Sequence, residues 1–236
     1  MTIKIAVIQF PGSNCDLDTM HVLNNVIGVE ADLVWHNHFK ESKYDGCVLP
    51  GGFSFGDYLR SGIIAAHSPA LDEAKVMLKD GRPIIGICNG FQILTEAQFL
   101  PGALLGNDNL KFICKWVNIR VENNHTAFTN KMKRGDVLDI PIAHGEGRYF
   151  TNRLEELEAN EQIVFRYSNE EGEISDVSNP NGSLENIAGV CNLEQNCLGL
   201  MPHPERASEA ILSPKNTTHG KYFFNSMVHF IKKKVA

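Results

Sequence analysis

The sequence has little that would point to disulfide bonds, membrane insertion or nucleic-acid binding. Its six cysteines form no Cys-x-x-Cys pair and no regular framework, which argues against a disulfide scaffold and indicates a reduced protein. No window approaches the roughly 18 consecutive apolar residues of a membrane span. The formal net charge is −6, and the one basic run, residues 232–234, ends a predicted helix, where lysines suit the helix dipole. We therefore expect neither a membrane nor a nucleic acid as partner.

Signals for nucleotide binding and for export are also missing. No GxxxxGK[ST] motif occurs, and no clean GxGxxG motif follows a predicted strand, so we expect no cofactor, ATP included, to be bound by this chain. Residues 1–10 are too short for a signal peptide with its cleavage site, and they are better interpreted as a first strand. Together with the cysteine usage, this predicts a cytoplasmic protein.

What the chain does contain is an alternation of predicted strands and helices. Apolar runs at residues 3–10, 31–35, 44–49 and 83–87 predict strands, whereas residues 16–27, 63–78 and 89–97 have helical spacing. Further strands are predicted at 115–121, 137–143, 163–167, 187–191 and 197–201, a closing helix at 222–231 and an exposed loop or hairpin at 170–186. This pattern and the 236-residue length predict one α/β domain, residues 1–236, with an open parallel sheet and helices on both faces.

The most informative local feature is a cysteine between a predicted strand and a predicted helix. In Gly86-Ile-Cys88-Asn-Gly90 the glycines allow a sharp bend around the thiol, which is the form of a nucleophile elbow. A thiol at a helix N-terminus lies in a positive field that favours the thiolate. Cys88 is therefore predicted to be a nucleophile. The other cysteines are predicted to be buried apolar residues: Cys15, Cys47, Cys114, Cys191 and Cys197.

A reactive thiolate needs a base at fixed orientation, and the best of nine histidines follows a late predicted strand. In His203-Pro204-Glu205 the proline keeps His203 out of the helical conformation. Side chains at i and i+2 of an extended segment point the same way, so Glu205 is expected to orient the imidazole. The sequence thus predicts a catalytic triad of Cys88, His203 and Glu205.

Acyl transfer also needs hydrogen-bond donors for an oxyanion. The backbone amide of Gly52, after a predicted strand, and that of Asn89, just after the nucleophile, are the predicted donors. The His36-Asn-His38 pair offers no third ligand, so we predict no metal site. The segment beginning at His144 follows another strand, and a pocket loop and a solvated turn are both open interpretations for it.

Taken together, these residues resemble the class I, or triad, glutamine amidotransferases, in which a Gly-x-Cys-x-Gly-x-Gln elbow works with a late His-x-Glu pair. The predicted triad matches that pattern residue by residue, and Gln92 matches the glutamine of the elbow helix. Segments 11–16, 51–62, 141–149 and 201–206 are similar to one branch of the family, the stand-alone glutaminase subunits of a purine-biosynthetic synthetase. The resemblance spans nearly the whole chain.

The resemblance implies a flavodoxin-like fold and the hydrolysis of glutamine to glutamate and ammonia. It implies that Gly51, Gln92, His144 and Gly145 help to hold the glutamine. Ammonia would pass to a large synthetase subunit that binds ATP and Mg²⁺, and a small third subunit would join the complex. It leaves open whether segments 11–16 and 56–62 serve the pocket or a subunit interface.

Two alternatives remain at this point. Another cysteine-dependent hydrolase of related α/β fold would share the elbow, but α/β-hydrolases place the acid before the histidine along the chain. Here Glu205 follows His203. A non-catalytic docking subunit would be expected to have lost triad residues, and all three are present.

Overall fold

The computed structural model describes residues 2–235. Its strands are β1 (Lys4–Gln9), β2 (Glu30–Trp35), β3 (Gly46–Leu49), β4 (Ile84–Ile87), β5 (Ala103–Leu105), β6 (Ile113–Val121), β7 (Val137–His144), β8 (Arg148–Phe150), β9 (Ile163–Ser168), β10 (Ile187–Cys191) and β11 (Cys197–Leu200). Its α-helices are α1 (Asp16–His21), α2 (Ile63–Ala66), α3 (Pro69–Lys79), α4 (Asn89–Glu96), α5 (Leu154–Ala159) and α6 (Lys221–Val235). A π-helical segment, Val22–Ile27, continues α1. None of the helices in this described part is long and apolar enough to cross a membrane.

Nine of the strands form one sheet in the order β2-β1-β3-β4-β11-β10-β9-β6-β7. The pairings from β2 to β11 are parallel, and those from β11 to β7 are antiparallel. Two antiparallel steps restore the original direction, so β9 and β7 run the same way as β4. All strands of this sheet except β10 and β6 therefore share one direction, which confirms the predicted α/β class with a mostly parallel, flavodoxin-like sheet.

The shared direction brings several loops to one edge of the sheet. In the register, Leu49 of β3 pairs with Gly86 of β4, and Leu200 of β11 pairs with Ile87. The chain leaves all three strands at this edge, and β7 ends there with His144. The carboxyl ends of parallel strands are where open α/β sheets bind ligands, so the fold gathers the predicted site residues at the expected place.

The strands that carry this edge are buried on both faces. Every residue of β3 and β4 is buried, which explains why these segments are continuous apolar runs rather than alternating ones. Helix α4 packs directly on the sheet. Its Phe91 ring lies so close to Gly199 of β11 that a Cβ at Gly199 would overlap it. Phe91 also stacks on Tyr149, with ring centroids 6.0 Å apart. The elbow helix is thus fixed by apolar contacts with the sheet and with Tyr149.

The predicted helices at 16–27 and 63–78 differ from the structure for local reasons. The first is α-helical and then π-helical, and it ends at Gly28 in the left-handed conformation. The second is two helices, because Pro69 has no amide hydrogen with which to continue α2. Ser68 instead caps α3 by accepting a hydrogen bond from the Ala70 amide. Segment 170–186 is a loop with two 3₁₀ turns, Asp176–Ser178 and Leu184–Asn186.

Two further points were not predicted correctly. Strands β5 and β8 form a separate two-stranded sheet that their short sequences did not indicate. Cys114 is exposed, so its predicted burial is wrong, whereas the other five cysteines are buried. Strand β6 pairs with β9 only from Asn118 onward, and Cys114 lies on the part of β6 that extends beyond this pairing.

Candidate active site

Cys88 occupies a strained turn between β4 and α4. Its backbone has φ 51° and ψ −102°, a conformation that residues other than glycine rarely adopt and that is typical of nucleophile elbows. Both flanking glycines are required by space. A Cβ at Gly86 would lie 2.6 Å from the carbonyl carbon of Gly90, and one at Gly90 would overlap the carbonyl oxygen of Leu49. The start of α4 therefore packs directly against the backbone of β4 and of β3.

His203 and Glu205 form a buried pair, with Nδ1 of the ring 2.6 Å from Oε1 of the carboxylate. The sequence analysis expected an extended segment to bring the two side chains together, and that is wrong. The chain turns into a 3₁₀ helix at Pro204–Ala207. The proline still keeps His203 out of helical conformation, and the His203 amide donates to the Pro141 carbonyl at 2.8 Å. Strand β7 thus anchors the base.

The ring of His203 is electrostatically coupled to Cys88. Burial acts to lower the pKa of His203, but the negative charges of Glu205 and of a Cys88 thiolate outweigh it and raise that pKa well above its ordinary value. Glu205 occupies Nδ1, and within residues 2–235 Nε2 has no hydrogen-bond partner. The Cys88 thiol contacts the Ala143 carbonyl at 3.7 Å. The structure thus pairs His203 with Glu205 and places Cys88 close enough to interact with the imidazole, and the catalytic roles of the three residues stay a prediction.

A second thiol lies behind the imidazole, which the sequence did not indicate. Sγ of Cys15 is 3.8 Å from Nδ1 of His203, and the guanidinium of Arg206 donates to the same sulfur at 3.2 Å. Cys15, His203 and Glu205 offer metal-ligating atoms within 4.8 Å of one another, but the neighbouring positive charge of Arg206 opposes a cation there. Cys15 belongs to segment 11–16, so the structure places part of that segment against the site rather than on an outer surface.

Gly51 and Gly52 follow β3, and Gly51 lies against the imidazole of His203. A Cβ at Gly51 would lie 2.8 Å from Cε1 of His203, and one at Gly52 would lie 2.6 Å from the Gly12 carbonyl oxygen. Gly52 has φ 154° and forms an isolated bridge with Ser13. Asn89 is the first residue of α4, so its amide has no carbonyl partner within the helix. The two amides follow the ends of the neighbouring strands β3 and β4, and their function as oxyanion donors stays a prediction.

The side chain of Gln92 is held on both sides. Its Nε2 donates to the Glu146 carbonyl at 2.7 Å, and its Oε1 accepts from Nδ2 of Asn89 at 2.9 Å. Glu146 belongs to the turn after β7, which begins with Gly145 directly after His144. Gln92 therefore contacts the turn that the resemblance assigns to glutamine binding, and its own contact with glutamine stays a prediction.

The turn after β7 is organised by Asn107, which the sequence analysis missed. Oδ1 of Asn107 lies 3.0 Å from Nδ1 of His144 and accepts from the Gly147 amide at 3.1 Å, while the Asn107 amide donates to the Gly145 carbonyl at 2.9 Å. Because Oδ1 can only accept, Nδ1 of His144 is the protonated ring nitrogen. Asn107 lies in a Gly-Asn-Asp turn, and nothing in that composition distinguishes it from a surface loop.

His144 is a neutral imidazole in this environment. Burial, followed by the charge of His203, lowers its pKa to about 4. Its Nε2 has no hydrogen-bond partner in the described part of the chain, so the lone pair on that atom is available to a ligand. His36, in contrast, is packed: it stacks on Phe10 and bonds to Oγ of Ser68 at 2.7 Å.

Comparison with known proteins agrees with this geometry. A family model described as the CobB/CobQ-like glutamine amidotransferase domain matches residues 2–231. The chain is 54% identical over 230 residues to the phosphoribosylformylglycinamidine synthase subunit PurQ of Methanosarcina mazei, which covers 97% of this chain and 98% of that protein. It is 56% identical to the subunit of the same name from Aquifex aeolicus over 211 residues, 89% of this chain and 93% of that one.

A solved structure gives the same result. The structure of PurLQS from Thermotoga maritima contains a chain that superposes with a TM-score of 0.84 and is 44% identical, with 98% of this chain and 100% of that one covered. A glutamine amidotransferase from the same organism, 17% identical with a TM-score of 0.56, shares the fold. The chain therefore belongs to the class I glutamine amidotransferases, in the family of the PurQ subunits of phosphoribosylformylglycinamidine synthase.

Proposed function

We propose that this chain is the glutaminase subunit of a phosphoribosylformylglycinamidine synthase. It hydrolyses glutamine to glutamate and ammonia, and the ammonia is used to convert formylglycinamide ribonucleotide to formylglycinamidine ribonucleotide in purine biosynthesis. The observation that carries the proposal is the buried His203–Glu205 pair beside Cys88 on a strained elbow. We also propose that residues 1–236 work as one amidotransferase domain.

In the first half-reaction the Cys88 thiolate attacks the side-chain amide carbon of glutamine, and the carbonyl π electrons move to oxygen. The backbone amides of Gly52 and Asn89 donate to this oxyanion, and each such donor contributes about 2.7–4 kcal/mol of transition-state stabilisation. Protonated His203 gives its proton to the departing nitrogen, so the carbon–nitrogen bond breaks and ammonia leaves. The product is a thioester between Cys88 and the glutamyl group.

In the second half-reaction neutral His203 takes a proton from water, which attacks the thioester carbon. The same oxyanion donors serve again, the carbon–sulfur bond breaks, and glutamate leaves with Cys88 restored. Glu205 keeps the ring of His203 in one orientation and stabilises its positive charge in both steps. The His144–Gly145 turn, Gly51 and Gln92 hold the substrate, and the free lone pair on Nε2 of His144 suits a hydrogen-bond donor of glutamine.

The chemistry that needs ATP is assigned to other subunits. A large synthetase subunit with bound ATP and Mg²⁺ activates the ribonucleotide amide, and a small third subunit completes the complex. The PurLQS structure of Thermotoga maritima supports this division by its composition. Cytoplasmic localisation is proposed on the same grounds, since the substrates of such a complex are soluble metabolites.

The decisive test is a pair of synthesis assays on the complex with its synthetase subunits. Cys88→Ala is expected to abolish glutamine-dependent synthesis, because no thioester can form, while ammonia-dependent synthesis stays at the parent level. Cys114→Ala removes an exposed thiol on β6 and serves as the matched control. Glutamine-dependent synthesis that survived Cys88→Ala would refute the assignment of the nucleophile.

A second measurement addresses coupling to the partner. The isolated chain is expected to hydrolyse glutamine slowly, because uncoupled activity would waste the substrate, and addition of the synthetase subunits should raise the rate. A diazo-ketone analogue of glutamine should label Cys88 in the complex, as peptide mapping would show. Rapid turnover by the isolated chain, or labelling elsewhere, would contradict the proposal.

A further inference from the structure

Resting on the proposed function, we infer that the side chain of Asn89 is a positioning residue that holds the two oxyanion donors at a fixed spacing. The residue after a nucleophile supplies its backbone amide to the oxyanion whatever its side chain is. In this protein the side chain makes a separate pair of bonds, and they join the segment that carries the other donor, Gly52, to the elbow.

The bonds of Asn89 are specific in direction. The side chain is buried, with 2% of its surface exposed, and both of its polar atoms are used. Oδ1 accepts from the Ser54 amide at 3.1 Å, and Nδ2 donates to Oε1 of Gln92 at 2.9 Å. An amide hydrogen can only donate, so the contact with Ser54 fixes which terminal atom of Asn89 is oxygen. An apolar side chain of the same size could make neither bond.

The Ser54 contact matters because the segment after β3 has little regular structure to hold it. Ser54 begins a 3₁₀ turn two residues after Gly52, and the next three residues, Phe55 to Asp57, all have positive φ. The other tertiary hydrogen bonds of residues 51–54, within the described chain, run to residues 12–15. The bond to Asn89 is therefore what ties residues 51–54 to the helix that carries the nucleophile.

The second bond extends the connection across the site. Gln92 accepts a hydrogen bond from Asn89 and donates one to the Glu146 carbonyl. Asn107 holds the same turn by accepting a hydrogen bond from the Gly147 amide. The series Ser54, Asn89, Gln92 and Glu146 thus links the segment of Gly52, the elbow and the turn after β7. Asn89 is the residue of this series that bonds both to the segment of Gly52, through Ser54, and to Gln92.

The expected effect follows from the distance tolerance of an oxyanion hole. Its donors act at 2.7–3.1 Å from the developing charge, and a displacement of about 1 Å can cost roughly 10²-fold in rate. Asn89→Leu keeps the backbone amide but cuts both side-chain bonds, so the Gly52 segment is released from α4. We expect kcat for glutamine to fall about 100-fold, with KM within about threefold, because the lost interaction acts mainly in the transition state.

A second variant removes the donor of the Ser54–Asn89 hydrogen bond instead of its acceptor. Ser54→Pro deletes the amide hydrogen and leaves Asn89 intact. Proline is tolerated at the first position of a helical turn, and Phe53 before it is not helical. Ser54→Ala keeps the amide and removes a hydroxyl that has no partner among residues 2–235, so the difference between the two variants measures the hydrogen bond. Ser54→Pro should lower kcat as Asn89→Leu does, and the double variant should be no worse than either one.

A third variant separates the effect of the Asn89–Ser54 bond from that of the Asn89–Gln92 bond. Gln92→Met keeps the Asn89–Ser54 bond and cuts the connection to Glu146, so it should raise KM for glutamine more than it lowers kcat. Thr95→Val on the same helix removes a hydroxyl whose partners among residues 2–235 are the Phe91 and Gln92 carbonyls, and it should leave both constants near the parent values. A general loosening of α4 would change kcat and KM in the same way in all of these variants. It would not lower mainly kcat in some and raise mainly KM in another.

All assays use the complex with its synthetase subunits. Circular dichroism of each variant chain and its co-elution with the synthetase subunits report folding and assembly, and ammonia-dependent synthesis reports that the synthetase itself is active. The inference is overturned if Asn89→Leu and Ser54→Pro each keep kcat within threefold of the parent, or if their effects add in the double variant. That outcome leaves the proposed function standing, provided that the parent is active and Cys88→Ala is not. A parent complex without glutamine-dependent synthesis would instead refute the proposed function itself.

Discussion

At the scale of the residue, the buried carboxylate of Glu205 is the main group that raises the pKa of His203. It lies 2.6 Å from Nδ1 of His203, and its second oxygen has no hydrogen-bond partner in the described residues. Its one hydrogen bond is therefore made to the imidazole, although its charge also acts on the guanidinium of Arg206. This explains why the pKa of His203 is raised although burial alone would lower it.

Glu205→Gln tests this arrangement because it removes the charge and keeps the shape. With burial then dominant, the pKa of His203 should fall, so the imidazole loses its proton at lower pH. Protonated His203 delivers a proton to ammonia, and the alkaline limb of kcat/KM in the complex should therefore move to lower pH. We expect kcat to fall about 100-fold or more. Glu205→Asp keeps the charge as a comparison, and an unmoved alkaline limb in Glu205→Gln would contradict the electrostatic explanation.

At the scale of the element, the position of α4 against β3 depends on the absence of a side chain at Gly90. A Cβ there would overlap the Leu49 carbonyl oxygen, which is backbone and cannot rotate away. Gly90→Ala should lower the free energy of unfolding by about 3 kcal/mol, the upper end of the usual overpacking cost, and should reduce glutaminase activity by moving Cys88. Urea unfolding measures the first effect. At Gly106 an added Cβ has no neighbour within 4 Å, so Gly106→Ala should change stability by less than about 0.5 kcal/mol.

The same elements show what the sequence could and could not predict. The elbow and the His203–Pro204–Glu205 string are local signals, since the chemistry requires particular residues at short spacing. The contacts of Cys15 with His203 and of Asn107 with His144 join residues 188 and 37 positions apart, and only the folded sheet edge brings them together. Tertiary packing also decided the exposure of Cys114, because it depends on where β9 stops pairing with β6.

At the scale of the whole molecule, two site histidines give the stability of the fold opposite dependences on pH. The folded pKa of His203 is raised, so its contribution is full below about pH 6.5 and is lost as the pH rises through that raised pKa. The folded pKa of His144 is lowered to about 4. Between about pH 6.5 and 4 the unfolded chain therefore binds a proton that the folded chain does not, and stability falls as the pH falls. For these two groups together, stability is greatest near the ordinary pKa of histidine.

His144→Asn isolates the acidic side of this dependence. The difference between the unfolded and folded pKa of His144 corresponds to about 3 kcal/mol of stability lost by pH 4. Urea unfolding of the parent and of His144→Asn at several pH values from 4 to 7.5 should show a shallower decline for the variant on acidification. The difference above about pH 6.5 reports the lost contact with Asn107, because His144 is then neutral in both states. Parallel curves across the whole range would show that His144 does not remain unprotonated in the folded protein at acidic pH.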